Sequence, residues 1–132
     1  MRAADLAQVI EIDAAITGLA KPDYWAGVRR RYRDFLVAES AGRIEGYIVG
    51  EVRDWAFGAP PCGWVFGIGV RPQARLAGLG TRLLEALCAS FRKRGVATVR
   101  TLLARDNHLV LAFFRSQGMM AAPFIPLEKE LD

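Results

Sequence analysis

The chain has 132 residues, 52% hydrophobic and 24% charged, with a net charge of +4, which suits one α/β domain with one sizeable core and leaves no room for a second. No apolar run approaches the ~20 residues of a membrane span and no secretory leader pattern opens the chain, so it reads as a cytoplasmic protein. Two cysteines, Cys62 and Cys88, and one histidine make neither a disulfide framework nor a zinc site, and no metal is implied.

Asp5 can cap a first helix in which Leu6, Val9, Ile10 and the surroundings of Asp13 and Ala14 form an apolar stripe as far as Ile16, and Gly18 can end it. Lys21-Pro22-Asp23 opens a second helix over residues 24–33, with Trp25, Val28 and Tyr32 on one side. Those aromatics read most simply as core. Residues 35–39 and 44–52 are apolar and β-branched and are joined by Ser40-Ala41-Gly42-Arg43, a hairpin. Glu51, Arg53 and Asp54 close its second strand. The loop after it is rich in Pro and Gly yet carries Trp55 and Phe57, which suggests either a lid folded back on the protein or the wall of a binding site.

Residues 64–70 form the next strand, in which Gly67 and Gly69 mark a bulge or a place where another backbone comes close. After Arg71-Pro72-Gln73-Ala74 and a glycine-bearing loop, a helix opens at Thr81. Leu83, Leu84, Leu87, Cys88 and Phe91 share its apolar face, and Gly95 supplies a left-handed stop. Residues 96–104 read as a further strand. Strand, helix and strand in sequence make a right-handed crossover with parallel strands, leaving the helix start at the carboxyl edge of the first. Asp106 and Asn107 can cap a last helix over residues 109–117, which Gly118 ends, and residues 124–131 alternate as a final strand with Leu127, Lys129 and Leu131 on one face.

The helix opening at Thr81 is where chemistry concentrates. Its first N–H groups have no partner within the helix and its dipole is positive there, which stabilises an anion by roughly 0.3–2 kcal/mol. Gly78 and Gly80 remove side chains that would block the approach, and Arg75 adds a fixed positive charge, so a diphosphate is the natural guest. A Walker loop needs a Lys after its second glycine, and a dinucleotide fingerprint needs a third glycine where Leu83 stands. Neither fits. What remains, Arg75-Leu76-Ala77-Gly78-Leu79-Gly80 after Val70-Arg71-Pro72, resembles the acetyl-CoA loop of the GNAT-type N-acetyltransferase superfamily. Asn107, Ala112, Phe113-Phe114 and Gly118-Met119 resemble that family's second motif, so the likeness spans about residues 64–119.

The resemblance implies a single GNAT-like domain over residues 1–132: a mixed, mostly antiparallel sheet with one parallel, splayed strand pair, flanked by helices. A first strand normally precedes the first helix in that family and is short or missing here. Acetyl-CoA is implied as cosubstrate, with a primary amine as acceptor, on a protein or a small molecule. Arg75, Leu76, Ala77, Gly78, Leu79, Gly80 and Thr81 would hold the diphosphate, Ile68, Gly69 and Val70 the pantetheine and acetyl groups, and Asn107 and Phe114 the CoA arm. The first two helices would wall the acceptor site, where Tyr24 and Trp25 could touch substrate. A homodimer is common among such domains.

The family's usual proton donor to the leaving thiolate is a Tyr at the second position of the aromatic pair, where this chain has Phe114. Tyr47, Cys62 and Tyr24 are substitutes to weigh. Glu51, at the end of its strand, is the best-placed carboxylate for a base and Asp54 is next, while His108 could titrate near neutrality. Two other readings stay open: a CoA-binding regulatory domain without turnover, and a basic nucleic-acid module built on Arg29, Arg30, Arg31 and Arg33 and on Arg92, Lys93 and Arg94. No nucleic-acid motif accompanies those clusters, which favours solvated helix faces.

Overall fold

The apolar stripe that begins at Leu6 folds as α1, Leu6–Thr17, and Gly18 ends it in the left-handed region at φ 81°. The structure is a computed structural model that describes residues 1–132 and divides into two units, Met1–Leu102 and Leu103–Asp132. Asp5 stands at the N-cap of α1, as expected, but its side chain makes no capping bond to that helix. Its carboxylate accepts from the Arg2 backbone N–H at 2.9 Å and closes the tight turn Ala3–Asp5 that precedes the helix. The second helix, α2, is Pro22–Arg31: it starts earlier than expected because Pro suits the first helical position, and it stops where Tyr32 turns extended.

Strands β1, Asp34–Ser40, and β2, Arg43–Arg53, form the expected hairpin. Ala41 and Gly42 turn it with φ of 52° and 78°, the left-handed pair whose twist matches the flanking strands. Strand β3, Cys62–Val70, runs antiparallel to β2, and β4, Val99–Thr101, runs parallel to β3, in the order β1-β2-β3-β4. The sheet is therefore mixed and mostly antiparallel with one parallel pair, and no strand precedes α1. The expected strand over residues 96–104 contracts to Val99–Thr101 because β3 offers it partners only at Gly63, Trp64 and Val65.

Helices α1 and α2 cover one face, where Val9, Ile12, Trp25 and Val28 pack with Phe35, Ile44, Tyr47 and Val49. Trp25 belongs to this core, and its Nε1–H donates to the buried Asp13 at 3.0 Å while Lys21 holds the same carboxylate at 3.1 Å. Helix α3, Leu79–Lys93, covers the other face through Leu83, Leu87 and Phe91. It lies on a floor of glycine. A Cβ at Gly46 would stand 3.1 Å from Leu83 Cδ1, one at Gly50 would stand 3.0 Å from Leu87 Cδ2, and one at Gly63 would enter the Phe91 ring.

The second unit holds α4, His108–Ser116, where Asn107 Oδ1 accepts from the Val110 N–H at 3.3 Å as the expected cap. Residues 124–131, expected as a strand, form none. Pro126 removes a ladder donor from the middle of the segment, and Ile125, Leu127 and Leu131 stay exposed. No helix in the chain is long and apolar enough to cross a membrane.

Candidate active site

Strand β3 changes phase in its middle. Val49 pairs with Gly67 and Gly50 with Val65, so Phe66 is the extra residue of a bulge. Before it, the Gly63 N–H donates across to Thr98 on the β4 side at 2.9 Å. After it, the Arg71 N–H donates to Glu45 of β2 at 2.8 Å. Counting back from Arg71 at the two-residue period of a strand, Gly69 and Gly67 address β2, whereas Ile68 and Val70 turn their backbone groups away from it. That is the side on which β4 pairs only as far as Val65. The bulge thus presents Ile68 and Val70 amides along an edge of the strand that β4 has left.

Gly67 and Gly69 have a local cause as well. The Tyr47 ring lies across them: a Cβ at Gly69 would overlap it, and one at Gly67 would sit 3.3 Å from Val49 Cγ1 and 4.0 Å from Tyr47 Cε1. The close neighbour at these glycines is the chain's own tyrosine. Burial, reinforced by the charge of Asp13 and by Tyr24, pushes the Tyr47 phenol above its ordinary range, so it keeps its proton at neutral pH. Of the other groups weighed as proton donors, Cys62 is buried with its thiol directed at the Gly63 and Thr98 carbonyls at 3.3 and 3.4 Å. Tyr24 is half exposed, edge-on to Trp25 at 5.2 Å.

After β3 the chain forms a short 3-10 turn, Pro72–Ala77, and α3 opens at Leu79 rather than at Thr81. Gly78 is the reason: it takes the left-handed conformation at φ 74° as the N-cap, and the Arg82 N–H already bonds its carbonyl at 3.1 Å. The first turn of α3 is therefore residues 79–82, and nothing lies within 4 Å of where a Gly78 Cβ would stand. A loop of bare backbone at a helix start, open to solvent, fits a diphosphate. Leu76 and Ala77 are exposed at its tip. Arg75 folds back toward β3, its Nε donating to the Val70 carbonyl at 3.3 Å, and Arg82 donates to Ala77 O at 3.3 Å.

Two residues that bear on this loop were not singled out from sequence. Arg82 stands in the first turn of a helix, where the dipole disfavours a cation, a misfit that is legible in the sequence. Arg71 is buried and anchors the loop's start: its Nε donates to Ile44 O at 2.8 Å and its Nη1 meets Glu11 Oε1 at 2.8 Å. Its guanidinium holds the Glu11 carboxyl below the ordinary range by hydrogen bond and charge. Arg71→Leu leaves the Ile44 carbonyl without that donor and is expected to cost about 1–2 kcal/mol in urea denaturation at neutral pH. A depressed carboxylate stabilises the fold above its unfolded range and ceases to do so as pH falls through its folded value. The loss on substitution should therefore shrink in acid. An unchanged urea midpoint at neutral pH would count against Arg71 as an anchor.

Glu51 lies on β2 opposite Trp64, one rung beyond the Gly50–Val65 pair that borders the bulge, and its Oε2 accepts from Arg53 Nε at 3.1 Å. Asp54 is exposed beyond the strand. Trp64 itself is buried, and its Nε1–H has no partner. Asn107, Phe114 and His108 belong to the second unit, where Phe114 is buried in edge contact with Phe113 at 5.2 Å and His108 is exposed in the first turn of α4.

The sequence matches the family model described as acetyltransferase (GNAT) family over residues 6–119. It is 33% identical over 86 residues to the L-2,4-diaminobutyric acid acetyltransferase of Nocardia farcinica, covering 62% of this chain and 43% of that protein. It is 35% identical over 85 residues to the mycothiol acetyltransferase of Thermobispora bispora, covering 64% and 29%. The match thus spans less than half the length of each relative. The fold is similar to the aminoglycoside antibiotic 6'-N-acetyltransferase AAC(6')-IG from Acinetobacter haemolyticus, with a TM-score of 0.81 at 20% identity over 100% of this chain and 97% of that one. It is also similar to AAC(6')-Iy in complex with the bisubstrate analog CoA-S-monomethyl-acetylneamine, with a TM-score of 0.83 at 15% identity over 100% and 95%. At these identities the structures speak for the fold.

Proposed function

The chain belongs to the acetyltransferase (GNAT) family, and on that premise we propose that it transfers the acetyl group of acetyl-CoA to a primary amine by direct attack. The observation that carries this reading is the phase change at Phe66, which turns the Ile68 and Val70 amides along an edge that β4 has left. Acetyl-CoA would supply an activated thioester. The start of α3, with Gly78, Leu79 and Gly80, would hold its diphosphate, with Arg75, Leu76, Ala77 and Thr81 around it. Gly69 lies between the two amides that would run beside the pantetheine arm. The resemblance alone assigns Asn107 and Phe114 to that arm.

The Ile68 and Val70 N–H groups are suited to donate to the carbonyl oxygen as it gains charge, an electrostatic contribution that needs no side chain. In the exchange a C–N bond forms as the C–S bond breaks, the amine loses a proton and the departing thiolate takes one up. Placement of amine and thioester together can contribute several kcal/mol. Glu51, one rung beyond the Gly50–Val65 pair that borders the bulge, is the carboxylate we assign as base. Two relatives named for diaminobutyric acid and mycothiol, and neighbours named for aminoglycosides, support an amine-bearing acceptor.

A second reading rests on Phe114, which cannot donate a proton: a CoA-binding domain with little turnover. Calorimetric titration with acetyl-CoA, followed by free-thiol detection with a panel of amines, separates the two. Micromolar binding with amine-dependent thiol release is the expected result. Binding without release from any amine favours the regulatory reading, and a folded protein that binds no acetyl-CoA overturns both.

A further inference from the structure

Arg29, Arg30 and Arg31 close α2 and Arg33 follows before β1, all four exposed. No ion pair engages them. Asp34, which follows Arg33 in sequence, is committed to Arg94 at 2.6 Å and to Ser90 at 3.1 Å, and Glu51 to Arg53 at 3.1 Å. Arg30 and Arg31 also converge, their Nη2 atoms standing 3.9 and 3.6 Å from the point a Gly27 Cβ would take. Guanidinium groups drawn together with no carboxylate between them repel, and a bound anion relieves that. A cleft of about 380 Å³ is lined by these four arginines with Tyr32 and Phe35, so its charged side chains are cationic throughout.

This surface is continuous with the bulge in β3. The Tyr32 ring lies 5.4 Å from that of Phe66, and the Arg53 guanidinium lies over the same ring at 4.7 Å. Phe66 is the bulged residue, two positions before Ile68. An acceptor whose amine reaches Ile68 past Phe66 therefore lays its remainder against Tyr32 and the arginines. An extended peptide advances ~3.4 Å per residue, so the residues that directly follow the amine are the ones that meet this surface.

We propose that the acceptor is the amino terminus of an acidic peptide, its amine at the Phe66 bulge and its carboxylates on Arg30, Arg31 and their neighbours. The proposal rests on the transferase reading above and adds the class of substrate, with the same exchange of a C–S for a C–N bond. Nucleic acid would satisfy the charge, but its exocyclic amines are conjugated with the ring and nucleophilically weak. A polycationic amine would be repelled by the same surface. Arginine forks pair well with carboxylates.

The test uses two peptides labelled at the carboxyl end, one with glutamates and one with lysines at positions two to five. Fluorescence anisotropy without acetyl-CoA gives Kd, and thiol release with acetyl-CoA gives kcat/KM. At low salt the glutamate peptide is expected to be favoured at least tenfold in both. The Arg30→Gln, Arg31→Gln double variant should remove about tenfold of that preference, with acetyl-CoA binding unchanged by calorimetry. Equal binding of the two peptides, a preference for the lysine peptide, or displacement of the glutamate peptide by single-stranded RNA at tenfold lower concentration each overturns the proposal. Failure of the transferase reading shows separately, as absent acetyl-CoA binding, while anisotropy still reports on the arginine surface.

Discussion

Gly80→Glu is expected to raise the Kd for acetyl-CoA at least 100-fold, about 2.7 kcal/mol, while α3 stays folded. Gly80 is the second residue of α3, after the left-handed Gly78 cap and Leu79. A carboxylate at that position is compatible with the helix: it suits the positive end of the dipole, and Glu has a better helical propensity than Gly. The same carboxylate, however, competes with a diphosphate for the N–H groups and repels its charge. Fold and binding are thereby separated within one substitution. In the wild type, acetyl-CoA at 100 times Kd should add about 2.7 kcal/mol to stability, read as an upward shift of the melting temperature. The variant should melt at or above the temperature of the ligand-free wild type and show no such shift. Wild-type affinity in a folded Gly80→Glu protein would remove the start of α3 from the cofactor site.

The glycine loop before α3 was legible because it is made of backbone. Gly78 and Gly80 before an apolar stripe at helical spacing announce a helix start with a clear approach, and only the first residue shifted, from Thr81 back to Leu79. The hairpin was legible for a similar reason, since Ala41-Gly42 satisfies a local turn rule. What depends on distant partners was not. Residues 124–131 alternate correctly yet form no strand, because alternation states a preference and only a neighbouring strand realises it. Strand β4 kept three of its expected residues because the limit is set by a bulge in β3 more than thirty positions upstream. Gly67 and Gly69 read as a bulge or the approach of another backbone: the bulge falls beside them at Phe66, while the close neighbour is the Tyr47 side chain, which a sequence does not name. Arg71 reads as one basic residue among many until Ile44 and Glu11 are seen beside it.

Gly50→Ala should damage the first unit severely, with an expected loss of about 3 kcal/mol. The added Cβ would stand 2.5 Å from the Trp64 backbone carbonyl, 3.0 Å from Leu87 Cδ2 and 3.2 Å from Phe91 Cζ. None of these can step aside cheaply. The carbonyl is fixed in the β2–β3 ladder beside the Phe66 bulge, and Leu87 and Phe91 are 0% and 2% exposed. Relief requires either lifting α3 from the sheet or parting β2 from β3. For a chain of this size the melting temperature should fall by roughly 10 °C, with the urea midpoint lowered and its slope unchanged. Gly67→Ala is the control, because its Cβ would meet no backbone atom and come no closer than 3.3 Å to Val49 Cγ1 and 4.0 Å to Tyr47 Cε1. Its cost should stay under ~1 kcal/mol. Because Gly50 pairs with Val65, the residue before the bulge, the strain enters β3 where the amides of Ile68 and Val70 acquire their phase. Acetyl-CoA affinity should therefore fall in Gly50→Ala even at temperatures where the protein remains folded. A Gly50→Ala protein with wild-type melting and wild-type affinity would mean that α3 does not rest on glycine at this rung, and that the bulge geometry does not depend on it.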